Sequence, residues 1–209
     1  AFADDGDGQR PAMHGVFVLG AAEVLQERLR LDAAADRQLQ TWAEAGLRVL
    51  VFAHNAHETS LHDATGAAIL PPLTLLGVVS LSDELRPHLR ETLADFTAHG
   101  VRLKIISGDN PQTVAALARL AGLTGELKLI SGPEVSRMTP AQFEAAAAQA
   151  NIFGRITPQQ KEMLVETLHR QGEYVAMIGD GVNDVLSVKK ADMGIAMQSG
   201  SSATRSVAN

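Results

Sequence analysis

The chain has 209 residues, 45% of them hydrophobic and 20% charged, enough for one large domain, or one domain and part of another, with a sizeable core. Its 18 Lys and Arg against 24 Asp and Glu give a formal charge of −6, which excludes a general binder of nucleic acid or lipid surfaces that works by neutralising phosphates, though not a small phosphate site. Cysteine is absent, so there is no disulfide framework, thiolate metal site or cysteine nucleophile, as suits a reducing compartment.

In chain order, Ala1 to Gly8 carries three aspartates, where a signal peptide would have a basic region and an apolar run. It reads as a polar linker or turn, and without an initiator Met the chain reads as a processed piece or an excised segment. Val16 to Leu19 and Val49 to Ala53 read as strands from their β-branched and aromatic content. Between them Leu31, Ala34, Ala35, Leu39, Trp42 and Ala43 recur at helical spacing, with Gly46 as the stop signal. His54 to Ala68 suits a polar hairpin or loop, and Leu75 to Leu81 a buried strand. The apolar stretch Leu70 to Leu81 has about twelve residues and contains Pro71 and Pro72, short of the roughly twenty that a spanning helix needs.

Beyond residue 80 helix and strand patterns alternate. Pro87 to His99 is predicted helical and ended by Gly100, and Val101 to Ile106 is predicted a strand. Asn110-Pro111 supplies an N-cap and first-turn proline for a helix whose Val114, Leu117, Ala118 and Ala121 form one face, closed by Gly122. Thr139-Pro140-Ala141-Gln142 and Thr157-Pro158-Gln159-Gln160 are capping boxes. Tyr174 to Ile178 is a strand, Asn183 to Lys190 a short helix and Met193 to Ala196 a last strand. Such alternation implies an α/β fold, a Rossmann-like parallel sheet with helices on both faces.

Two predicted strands end in acidic loops, Ser107-Gly108-Asp109 and Gly179-Asp180-Gly181-Val182-Asn183-Asp184. In a parallel sheet ligands sit beyond the carboxyl ends of the strands, so both loops would reach one crevice, their glycines letting backbone approach an oxyanion. Either loop alone could be an ordinary turn with an N-cap. The second is denser, and its hard oxygen ligands suit Mg²⁺. Asp180 would be the direct ligand, with Asn183 and Asp184 orienting it and binding ligand water. Lys161 lies in the first turn of a helix, where a cation is disfavoured unless an anion fills the gap; a solvated lysine is the alternative. With the Ser107 hydroxyl, the set describes phosphoryl transfer whose nucleophile is unaccounted for. Asp4, Asp5 and Asp7 have no strand to present them.

Met177 to Asp184, continuing through Lys189 to Met197, closely resembles the hinge motif of P-type cation-transporting ATPases. In the order that family has, Ser82-Asp83-Glu84-Leu85-Arg86-Pro87 resembles its inter-domain Asp-Pro-x-Arg link, Ser107-Gly108-Asp109 its Thr-Gly-Asp loop, and Phe153 to Lys161 its Ala-Arg-Val-x-Pro…Lys segment. Upstream, Leu19 to Glu23 looks like the Lys-Gly-x-Pro-Glu motif of the adenine pocket, with Leu19 for the lysine and Ala22 for the proline. Gly46 to Leu50 is similar to the stretch whose arginine, here Arg48, contacts nucleotide phosphates.

The resemblance implies that residues 83–209 are a haloacid-dehalogenase-like phosphorylation domain lacking its first strand and its phosphorylated Asp, and that residues 1–82 are the C-terminal part of an α+β nucleotide-binding domain. It implies Mg²⁺ and ATP as cofactors, with Asp180 and Asp184 at the metal. Lys161, Ser107, Asp180 and Asp184 carry the catalytic roles, and Arg48, Asp83, Arg86, Ser107, Gly108, Asp109, Arg155 and Asn183 lie toward the nucleotide. The expected partners are ATP and the remaining membrane, actuator and nucleotide-binding parts of the same polypeptide, with no nucleic acid. The chain would be the cytoplasmic portion of a bacterial membrane protein. A free-standing phosphatase of the same fold and a non-catalytic nucleotide-binding module are the other readings; the phosphatase needs an Asp-x-Asp strand near its start, and this chain shows none.

Overall fold

A computed structural model describes residues 14–58, 60–62, 65–67, 69–82 and 84–208. The expectations for Ala1 to Gly8 and for Asp83 fall outside the described residues. The chain divides into two compact units. One takes in the chain up to Ser82 apart from Glu44–Gly46, and the other takes those three residues and the chain beyond Ser82.

The first unit runs β1 (Val16–Ala21), α1 (Ala22–Leu25), β2 (Leu29–Arg30), α2 (Ala33–Glu44), β3 (Arg48–Asn55) and β4 (Leu73–Leu81). Asp32 opens α2 by accepting the Ala34 and Ala35 amides at 3.0 and 2.7 Å. Gly46 ends it at φ 81°, a left-handed conformation that glycine takes without a Cβ clash. The sheet order is β1-β3-β4-β2, antiparallel except for β2 beside β4. Alternation along β3 sends Val49, Val51 and Ala53 into a core with Leu25, Leu39 and Leu73. The other face carries Phe17, Leu19 and Phe52, with Leu19 opposite Phe52 and Phe17 stacked on His54 at 4.2 Å. Leu19 and Phe52 are exposed.

The second unit runs α3 (Leu89–Ala98), β5 (Ile105–Ile106), α4 (Pro111–Leu120), β6 (Leu129–Ser131), α5 (Gly132–Val135), α6 (Pro140–Gln149), β7 (Ile152–Gly154), α7 (Pro158–Arg170), β8 (Ala176–Gly179), α8 (Val185–Lys190), β9 (Met193–Ala196) and α9 (Ser202–Val207). Asn110 caps α4 through the Gln112 amide, and Thr139 and Thr157 close the expected capping boxes of α6 and α7. A further box, Ser131 with Glu134, opens α5.

All strand pairs here are parallel, in two ladders, β5-β7-β6 and β8-β9. Neighbouring residues of β7 face opposite ways. Ile152 packs with Val114, Ala115 and Ala118 of α4, whereas Phe153 packs with Phe143 of α6 and Leu164 and Leu168 of α7. Helices therefore cover both faces, as expected of a Rossmann-like α/β fold. The strand expected over Val101–Ile106 shrinks to Ile105–Ile106, because its partner begins only at Ile152 and earlier residues have no ladder to join. In the other ladder Met177 packs with Val165 and Val188. Ile178, Met193 and Ile195, on the opposite face of β8 and β9, are 51, 44 and 37% exposed.

Candidate active site

The loop after β5 is stitched to the loop after β7. Ser107 N–H donates to Phe153 O at 2.8 Å, Ile156 N–H to Ser107 O at 3.1 Å, and Arg155 N–H to Asp109 O at 2.9 Å. The Ser107 hydroxyl accepts the Asp109 N–H at 3.1 Å and lies 3.4 Å from Asp109 Oδ2, and Arg155 Nη1 donates to Gly108 O at 3.3 Å. Arg155 adopts φ 54°, a left-handed conformation uncommon outside glycine. Burial pushes its guanidinium below the usual arginine range. Gly154 allows α4 to start directly above β7, since a Cβ there would stand 2.6 Å from the Pro111 ring. Gln160 ties α7 to α5, its amide donating to Gly132 O at 2.9 Å while its carbonyl accepts the Thr157 N–H at 3.0 Å.

Lys161, in the first turn of α7, turns inward. It is 9% exposed and its Nζ sits 2.6 Å from Asp184 Oδ1. The other oxygen, Asp184 Oδ2, accepts the Asp180 and Gly181 N–H groups at 3.2 and 3.1 Å. Burial pushes the Asp184 carboxyl up, but the Lys161 ammonium and the two amides outweigh it and hold the group below the ordinary aspartate range. Asp184 is therefore an ionised brace for the loop after β8. That alters the expectation for this residue, because both of its oxygens are committed to the protein, whereas the Asp180 carboxylate is exposed. Asn183 is exposed in the same loop.

The structure thus joins Ser107, Gly108, Asp109 and Arg155 in one bonded group, and Lys161, Asp180 and Asp184 in another, both at carboxyl ends of parallel strands. Arg86 lies elsewhere, exposed in the irregular approach to α3. Arg48 is the first residue of β3, in the first unit. Sequence reasoning missed Gln160 as a tether and Ser201 and Thr204 as partners of the 180–181 backbone. Gly200-Ser201 was a legible helix-start signal, but Thr204 carried none. Among the described residues no group of three or more His, Asp or Glu could cage a metal. A Mg²⁺ that takes one or two carboxylates and completes its shell with water and phosphate still fits an exposed Asp180.

Residues 16–192 match the family described as haloacid dehalogenase-like hydrolase. The chain belongs to that family. This hydrolase-family chain is also 41% identical over 200 residues to the calcium-transporting ATPase CtpE of Mycobacterium bovis, covering 93% of the chain and 23% of the relative. It is 37% identical over 195 residues to the probable cation-transporting ATPase exp7 of Streptococcus pneumoniae, covering 93 and 24%. With the cation-transporting ATPase pma1 of Synechocystis the figures are 34% over 210 residues, 94 and 23%. The chain spans about a quarter of the length of these relatives. No helix among its described residues is long and apolar enough to cross a membrane.

Proposed function

We propose that this chain is the phosphoryl-transfer portion of a P-type cation-transporting ATPase, which couples formation and hydrolysis of an aspartyl-phosphate to cation movement across a membrane. The observation that carries the reading is the buried Lys161–Asp184 pair at the carboxyl end of β8, which braces a loop whose Asp180 carboxylate faces solvent. In the proposal residues 83–209 form the phosphorylation domain and residues 1–82 part of a nucleotide-binding domain, in the cytoplasmic portion of a bacterial membrane protein. A strand bearing the phosphorylated aspartate, supplied by the rest of the polypeptide, lies between β5 and β8. That the parallel strands form two separate ladders supports this placement.

Asp180, oriented by Asp184 and assisted by Asn183, would hold Mg²⁺, which supplies charge neutralisation on the phosphoryl oxygens. The Ser107 hydroxyl, the Gly108 backbone and the Lys161 ammonium bind and orient the phosphoryl group, positioning being most of what this chemistry requires. Asp109 and Arg155, bonded through backbone to each other, set the width of the crevice on the nucleotide side. Arg86 and Asp83 serve the link between domains. In the first unit Arg48 shares a sheet face with Phe52, Leu19 and Phe17, a cation beside apolar and aromatic surface that suits a nucleotide whose base packs without a lysine.

Incubation with γ-labelled ATP and Mg²⁺ tests the reading. The polypeptide that carries this chain and the missing strand should take up hydroxylamine-sensitive label, and Asp180→Asn or Lys161→Ala should abolish it. The 209-residue chain alone should neither hydrolyse ATP nor retain label, because in this reading the strand-end carboxylates of its described residues, Asp109 and Asp180, serve nucleotide and metal and not as the attacking group. Label on an aspartate of the isolated chain would favour the phosphatase instead.

A further inference from the structure

The peptide groups of Asp180 and Gly181 are held from both sides. Their N–H groups donate to Asp184 Oδ2. Their carbonyls are taken by the segment that begins α9: Asp180 O accepts the Ser201 N–H at 2.7 Å, and Gly181 O accepts the Thr204 hydroxyl at 2.6 Å. A carbonyl can only accept, so Thr204 Oγ1 spends its proton on Gly181. Its 2.7 Å contact with Ser201 Oγ is then a bond in which Ser201 donates, while Ser201 Oγ accepts the Thr204 N–H at 3.1 Å. Gly200 makes the approach possible, since a Cβ there would stand 2.8 Å from Asp180 O and 3.0 Å from Asp180 Cα.

Thr204 is fully buried, at 0% exposure. Capping of α9 needs only the Thr204 backbone N–H, which Ser201 satisfies. The Thr204 hydroxyl is surplus to the helix, and its bond to Gly181 reaches across to the loop after β8.

We propose that Thr204 is a positioning residue for Asp180: its hydroxyl, oriented by Ser201, fixes the 180–181 backbone and with it the direction in which the Asp180 carboxylate meets a divalent cation. The inference rests on the reading of Asp180 as a magnesium ligand. Outer-shell partners of this kind typically govern metal affinity by about 10- to 100-fold. Loss of the hydroxyl would leave Gly181 O without its donor, so that the loop is held only by the Asp184 brace on one side and the Ser201 N–H bond to Asp180 O on the other.

Equilibrium binding of Mn²⁺ to the 209-residue chain, read from the electron paramagnetic resonance signal of the free ion and checked by Mg²⁺ competition, tests this. The variants are Thr204→Val, Thr204→Ser and Asp180→Asn, each with its metal-free thermal unfolding recorded. Thr204→Val, which keeps the shape and deletes the hydroxyl, should weaken Mn²⁺ binding about tenfold or more at temperatures well below its unfolding midpoint, and Thr204→Ser should restore most of it. Should Thr204→Val not fold, Ser201→Ala carries the test: it removes the donor to Thr204, keeps the backbone bond to Asp180 and should weaken binding in the same direction. Wild-type affinity in Thr204→Val, or in Ser201→Ala where that replaces it, with binding lost in Asp180→Asn, overturns the positioning role and leaves Asp180 as ligand. Failure of Thr204→Ser to rescue overturns it too, since the methyl group would then be what matters. Unchanged binding in Asp180→Asn overturns the magnesium reading and this inference with it.

Discussion

Lys161 and Asp184 have side chains only 11 and 9% exposed, and each is the other's counter-charge. Breaking such a pair from one side leaves an uncompensated buried charge, so Lys161→Met should destabilise the fold by about 3–5 kcal/mol, read from the midpoint of urea unfolding. The pH dependence follows from Asp184. Its carboxyl titrates below the ordinary range in the folded chain, so the stability it contributes is complete above the unfolded value of about 4 and is lost as pH falls through the lower folded one. As pH falls below about 4 the wild type should therefore lose stability more steeply than Asp184→Asn, as measured by denaturant titrations at successive pH values. Equal slopes would show that the pair contributes nothing through linkage.

At the scale of elements, short local devices set the site. Thr157 accepts the Gln160 N–H at 3.2 Å and Gln160 answers to the Thr157 N–H at 3.0 Å, fixing the first turn of α7 from which Lys161 projects. Thr157→Ala should cost about 1 kcal/mol and Thr157→Ser much less, again by denaturant unfolding. Gly154→Ala would press a methyl against the Pro111 ring, an overpacking worth about 1–3 kcal/mol, with the loop after β5 expected to loosen because Ser107 is bonded to Phe153 next door. These caps were legible in the sequence because a cap is a matter of residues three apart. β6 and β7 were not. Each has three residues, and what makes them strands is pairing with partners more than twenty positions away, a relation with no local period. The acidic loop was legible as a cluster, but which carboxylate faces solvent and which braces was decided by Lys161, a helix earlier in the chain. Thr204 was silent for the same reason: a threonine in a polar, alanine-containing stretch looks like any helix residue until Gly181 is seen beside it.

Across the whole molecule, apolar side chains left on sheet faces are the main departure from an ordinary soluble surface. Ile178, Met193 and Ile195 are contiguous on β8 and β9, and the ladder ends beside them in unpaired backbone among the described residues. Exposed apolar edges of this kind template association. The isolated chain should sediment above monomer mass at tens of micromolar, roughly the regime in which such surfaces find partners, and Ile178→Lys with Ile195→Lys should return it toward the monomer. A wild type that stays monomeric throughout would count against the open-ladder reading.

The strand order β5-β7-β6 also governs how the chain is made. β5 leaves the ribosome before β6, yet Ile105 pairs only with Ile152, after β6 has already emerged. At about 5–20 residues per second, β5 waits on the order of two to ten seconds for its neighbour. β6 waits about half as long for the same strand, so β7 arrives to two unpaired strands and closes both sides of the ladder at once. A translational pause that falls after Ile106 has emerged and before Ile152 has would therefore lengthen the exposure of Ser107 and its loop, while one that falls after Gly154 has emerged would leave it unchanged.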